Sequence, residues 1–126
     1  MKKMSYLSPL LAVAIMASAV GAAEVAAPAA VELQPVPSLA KEDFDKATKI
    51  YFNRCGGCHG TLRKGATGKA LTPDKTRTKS VEKLAEIIYG GTDAGMPGWG
   101  TTGELTKDEA TLMAKFIQNE PVAPPE

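Results

Sequence analysis

The chain has 126 residues, 44% of them hydrophobic, with fifteen Lys+Arg against fourteen Asp+Glu. That length holds one domain and excludes a barrel or a dinucleotide-binding sheet with its substrate domain, and the near-balanced charge excludes a nucleic-acid-binding signature. One Trp, three Tyr and three Phe leave little aromatic bulk for a core, so a well-packed domain of this composition needs something other than side chains to fill it.

Lys2 and Lys3 precede an apolar run from Leu7 to Val20, interrupted by Ser8, Pro9 and Ser18 and followed by the small residues Gly21, Ala22 and Ala23. A basic start, a short apolar stretch and a small-residue exit are the pattern of a secretory signal peptide. The run is shorter than the roughly 20 residues a spanning helix needs. Residues 1–23 are therefore expected to be removed on export to the periplasm, which leaves no membrane span. Residues 24–40, rich in Ala with Pro28, Pro35 and Pro37, read as a flexible arm.

Ser38 stands where it can cap a first helix through about Arg54, with Glu42 and Asp43 in the first turn. Phe44, Ala47, Ile50 and Tyr51 give that helix an inward stripe, and Gly56 and Gly57 are expected to end it. Residues 60–79 read as a loop hiding a single turn of helix. Ser80 opens a second helix with Leu84, Ile87 and Ile88 inward, stopped by Gly90 and Gly91. Six glycines and one proline in residues 90–103 make a second long loop. Thr106 and Glu109 fit a capping box for a third helix. It buries Ala110, Met113, Ala114 and Ile117, carries Phe116 at its flank, and ends near Asn119. Residues 120–126 hold three prolines and read as a tail or the start of an interdomain linker. The fold class is all-α: three helices joined by long loops. Loops above about 12–15 residues are uncommon in a compact domain unless they bind something.

Cys55-Gly56-Gly57-Cys58-His59 answers that need. It is the C-x-x-C-H pattern of covalent c-type haem attachment. Two thiols three positions apart can reach the two vinyl groups on one edge of a porphyrin. The adjacent imidazole then ligates iron along its axis, and the two glycines let the chain lie close to the ring. Both cysteines and the single histidine of the chain fall within these five residues. Three alternatives stay open on the residues alone. A Cys55–Cys58 disulfide would close so small a loop that it stabilises little. A thioredoxin-like redox pair wants a βαβ context. A zinc site needs a fourth ligand beyond Cys55, Cys58 and His59.

With haem at His59, the sixth ligand falls to Met96. Met1, Met4 and Met16 lie in the expected signal peptide, Met113 faces the core as an ordinary filler, and a second histidine does not exist. Pro97 biases Met96 towards an extended backbone that can present the thioether. Residues 41–83 carry eleven basic and five acidic groups, residues 84–126 two basic and seven acidic. Such a dipolar surface can steer a charged redox partner. Lys64, Lys69, Lys75, Arg77, Lys79 and Lys83 are the candidates to ring an exposed haem edge, and Trp99 reads as packing near Met96.

Over residues 41–119 the order of these features resembles a class I cytochrome c, with about three main helices and long loops wrapped around one covalent haem. In that family Ala47 and Phe116 would lie near the crossing of the first and last helices. A nearer similarity, to the cytochrome c domain of cytochrome cd1 nitrite reductases, is carried by three stretches. These are Tyr51-Phe52-Asn53-Arg54, Gly60-Thr61-Leu62-Arg63-Lys64-Gly65-Ala66-Thr67-Gly68 and Gly95-Met96-Pro97-Gly98-Trp99-Gly100. The resemblance implies a periplasmic electron-entry domain with haem c on Cys55 and Cys58 and iron held by His59 and Met96. Its donor would be a small cytochrome or cupredoxin, and its acceptor a haem d1 domain or enzyme that reduces nitrite to nitric oxide. The sequence holds no propeller, so this chain alone is expected to be a one-electron carrier with no catalytic residue. A fragment of the reductase and a small-ligand-binding haem protein are the alternatives. The family's proline, whose carbonyl holds the proximal imidazole, is not evident after Gly60, so the sequence names no acceptor for His59.

Overall fold

A computed structural model describes residues 28–124; the expected signal peptide lies outside the described residues. The order of elements is α1 (Lys41–Ile50), a π-helical turn (Tyr51–Cys55), α2 (Gly56–His59), α3 (Pro73–Thr76), α4 (Val81–Gly90) and α5 (Lys107–Ile117). Among the described residues there is no strand, as the all-α reading requires.

The first helical run corrects the sequence reading at both ends. Ser38 does not cap it: the N-cap is Ala40, in extended backbone and without a side-chain cap. Glu42 and Asp43 in the first turn favour the helix start through its dipole instead. Nor do Gly56 and Gly57 end the run. Gly56 takes φ −62° and ψ −30°, ordinary right-handed helix, and its N–H donates to the Tyr51 carbonyl in the wider π pattern. Glycine tolerates a helix as well as a break, and here the π turn and α2 carry the helix on to His59. Gly60, at φ 81°, is the residue that stops it.

α5 packs against both α1 and α4. The core comprises Ala47, Tyr51, Leu84, Ile88, Leu105, Ala110, Met113, Ala114, Phe116 and Ile117. Ala47 of α1 and Ala114 of α5 are fully buried, and small buried residues let packed helix axes approach. Phe116 is not a flanking residue but fully buried. It meets Phe44 edge to face at 5.2 Å and Tyr51 at 6.0 Å, the tilted geometries that aromatic quadrupoles prefer. Ile87, expected inward, is only half-buried, because Leu84 and Ile88 take the centre of the α4 face.

Two caps follow the expected chemistry. The Ser80 hydroxyl accepts from the Lys83 N–H. Thr106 and Glu109 make both halves of a capping box, and Lys46 of α1 reaches Glu109 at 2.9 Å, joining the two helices at the box. Residues 28–40 form no helix or strand. Gln34 exchanges hydrogen bonds with Arg77, and the Pro37 carbonyl accepts from the Asn119 amide at 3.0 Å, so the end of this arm nearest α1 is held on the domain.

Candidate functional site

Cys55 closes the π turn, and Cys58 and His59 lie in α2. Residues three and four positions apart share a helix face, so one face carries both sulfurs and the imidazole. Both thiols are unbridged; Cys55 is half-buried and Cys58 exposed. Burial pushes the Cys55 thiol up to about 11, against the opposing charge of Arg54. Cys55 is therefore a neutral thiol at ordinary pH. Among the described residues no group of three or more His, Cys, Asp or Glu is arranged to hold a metal ion.

The acceptor for His59, which the sequence does not name, is the Lys69 carbonyl, 2.6 Å from Nδ1. An N–H donated there fixes the tautomer and leaves Nε2 with a lone pair for a metal. Any residue type can offer a carbonyl, so no side-chain signal marks this one. The backbone around it is tightly folded: the Gly68 N–H donates to the Cys58 carbonyl at 2.8 Å, and the Gly65 N–H to that of His59 at 2.9 Å. A Cβ on Gly68 would stand 3.0 Å from both Cε1 and Nδ1 of His59, so a larger residue there would press on the ring. The Tyr51 hydroxyl donates to the Gly60 carbonyl at 2.7 Å.

Met96 sits in the loop after α4 and is half-buried at the margin of the core, as is Cys55. The Thr92 N–H donates to the Met96 carbonyl at 2.9 Å, and the Met96 N–H to the Thr92 hydroxyl at 3.3 Å. At Gly91, φ is 79° and a Cβ would fall 2.6 Å from the Met96 carbonyl oxygen, so the entrance to this loop requires glycine. Trp99 donates its N–H to the Ile88 carbonyl, and its own carbonyl accepts from Glu104 and Leu105. Arg54, next to Cys55, pairs with Glu104 and lies over the Trp99 ring. Helix and Met96 loop are thereby joined through Trp99, which packs against the core margin.

Of the candidate cations, Lys64, Lys69, Lys75, Lys79 and Lys83 are exposed. Arg77 is half-buried and donates to the Gln34 carbonyl, so its task is to hold the arm. The sequence reading names Arg63 only within a stretch of resemblance and gives it no role. It is 1% exposed, its Nη1 donates to the carbonyls of Phe116 and Asn119, and its Nη2 has no partner among the described residues.

This donor set fits a covalently bound haem. It offers two unbridged sulfurs on one helix face, an imidazole held through Nδ1, and a thioether in a loop shaped by glycine.

Residues 42–117 match the family described as cytochrome C oxidase, cbb3-type, subunit III. A nitrite reductase of Stutzerimonas stutzeri is 39% identical over 110 residues, which cover 77% of this chain and 19% of that protein. The chain thus spans a small part of that relative's length. Cytochrome c55X of Pseudomonas aeruginosa is 36% identical over 97 residues, 71% of this chain and 79% of that protein. Among solved structures, a c-type cytochrome NirC superposes with a TM-score of 0.54 at 28% identity, over 64% of this chain and 93% of that one. The attachment pattern, the helical fold and these likenesses agree: the chain belongs to the c-type cytochrome family.

Proposed function

We propose that the chain is a periplasmic one-electron carrier with haem c attached through Cys55 and Cys58 and iron held between His59 and Met96. The observation that carries this reading is the His59–Lys69 hydrogen bond, which prepares one imidazole nitrogen for a metal at the end of the helix bearing both sulfurs. When bound, the haem supplies a ferric–ferrous couple. The chain's own residues set its environment. Lys69 holds the Nδ1 proton and orients the imidazole. The Met96 thioether is a soft donor that favours the ferrous state relative to a second histidine. A bound macrocycle would complete the scarce aromatic core.

The chemistry of the partners follows from the surface. Exposed lysines of residues 64–83 suit an acidic redox protein, and the likeness to a nitrite reductase supports a place upstream of nitrite reduction. The matches to cytochrome c55X and NirC, each over most of its own length, support the carrier reading over the enzyme. The basic, apolar and small-residue order of residues 1–23 supports export.

Protein exported together with a cytochrome c maturation system should be red and heavier by one haem. Met96→Ala should abolish the ferric sulfur-to-iron band at the red end of the spectrum and lower the midpoint potential. A colourless product of unmodified mass would refute the haem, and an unchanged spectrum in the variant would refute the ligand.

A further inference from the structure

Arg63 is the largest of the fully buried side chains and departs from what its position would ordinarily select. It has a left-handed backbone, at φ 58°, the one positive φ outside glycine among the described residues. Its guanidinium lies 4.4 Å over the Phe116 ring and 5.4 Å from that of Tyr51. Nη1 donates to the Asn119 carbonyl at 2.6 Å and to the Phe116 carbonyl at 3.2 Å, while Nη2 is buried without an acceptor. A buried cation, an orphaned donor and a left-handed non-glycine residue are each unfavourable. They persist together only where the surroundings over-determine them.

The main chain of Arg63 shows what they hold. Its N–H donates to the Gly60 carbonyl at 3.0 Å, and its carbonyl accepts from the Leu71 N–H at 2.8 Å. Gly60 directly follows His59. Leu71 lies two residues beyond Lys69, whose carbonyl takes the His59 ring. Arg63 is thus stitched to both ends of the loop that closes on the imidazole, and its side chain is anchored at the carboxyl end of α5.

We propose that Arg63 is a positioning residue for His59: it ties the loop of residues 60–71 to the end of α5 and so keeps the Lys69 carbonyl against Nδ1. The inference rests on His59 being the iron ligand. Arg63 acts through the backbone and does not itself touch the metal.

Hydrogen exchange followed by NMR in the reduced haem-bound protein tests it. Arg63→Met keeps the stem and removes the donors; Arg63→Lys keeps the charge and loses the fork. Both variants should exchange the His59 Nδ1–H and the Leu71 N–H about tenfold faster or more, by local opening. The Trp99 N–H, bonded to Ile88 in the other loop, should change by less than about twofold. Uniform acceleration, as a merely structural role would give, or no change at all, overturns the proposal. Should neither variant take up haem, the wild type in sub-denaturing urea decides. There the His59 Nδ1–H, the Leu71 N–H and the Asn119 N–H should open as one unit, and separate openings overturn the proposal. A colourless wild type would instead sink the haem reading, and this inference with it. A red wild type with failed exchange predictions sinks the Arg63 role alone.

Discussion

At His59 the decisive neighbour is a backbone atom. The Lys69 carbonyl at 2.6 Å accepts the hydrogen bond of the Nδ1–H, which sets the orientation of the ring and leaves the lone pair on the opposite nitrogen. Gly68 makes this approach sterically available. Gly68→Ala would drive a methyl group to 3.0 Å from the ring, closer than ordinary van der Waals contact. We expect a loss of about 1–3 kcal/mol in stability, the usual range for overpacking. The weakened Lys69 bond should make the imidazole a poorer donor and raise the midpoint potential. Thermal unfolding and a potentiometric titration of the variant check the two effects separately. The sulfurs and the imidazole were legible in the sequence because their chemistry resides in side chains at fixed spacing. Their holders were not: Lys69 contributes a carbonyl that any residue carries, and Arg63 is buried against the habit of its type.

Among the elements, the helical run from Lys41 to His59 matters most, because its length sets where the attachment face begins. Tyr51 ties its middle to its end by donating to the Gly60 carbonyl. Burial pushes the Tyr51 hydroxyl up to about 12 from an ordinary 10.0, with Arg63 opposing and Cys55 reinforcing the shift. Between those two pH values the folded chain keeps a proton that the unfolded chain releases, so stability is whole below pH 10 and falls as pH rises towards 12. Tyr51→Phe should remove on the order of 2 kcal/mol of this alkaline decline. It should also cost about 1 kcal/mol at neutral pH for the lost hydrogen bond. Urea unfolding of both proteins across that range is the measurement, and parallel curves would refute the assignment. The apolar spacing and the Thr106–Glu109 box revealed α4 and α5 well, since those signals are local. The end of the first run was misread because Gly56 and Gly57 permit either outcome, and the Gly56 N–H continues the helix by donating to the Tyr51 carbonyl.

For the whole molecule, the asymmetry of charge along the chain becomes an asymmetry of exposed groups. Lys64, Lys69 and Lys79 are exposed and make no ion pair among the described residues, whereas Lys75 and Lys83 are partnered by Asp74 and Glu86. Reversing Lys64, Lys69 and Lys79 to Glu should slow electron transfer to an acidic partner about tenfold or more at low salt and flatten its dependence on ionic strength. Stopped-flow rates at several salt concentrations test this, and an unchanged salt slope would move the docking face elsewhere. The overall architecture was readable because two long loops in so short a chain demand a common object to enclose. Which distant segments lock onto one another was not readable, since those bonds run between backbone carbonyls and remote side chains.

The carboxyl terminus of α5 shows this most plainly. No glycine turns the chain there. The Ile117 carbonyl is claimed by the Thr76 hydroxyl, those of Phe116 and Asn119 by Arg63, and the Gln118 side chain reaches the carbonyls of Thr76 and Lys79. A terminus sealed by such visitors cannot be trimmed like an ordinary tail. Proteolytic clipping just past Ile117 would strip anchors from three separate strips of chain at once, and the damage would surface on the histidine side of the molecule, far along the sequence from the cut.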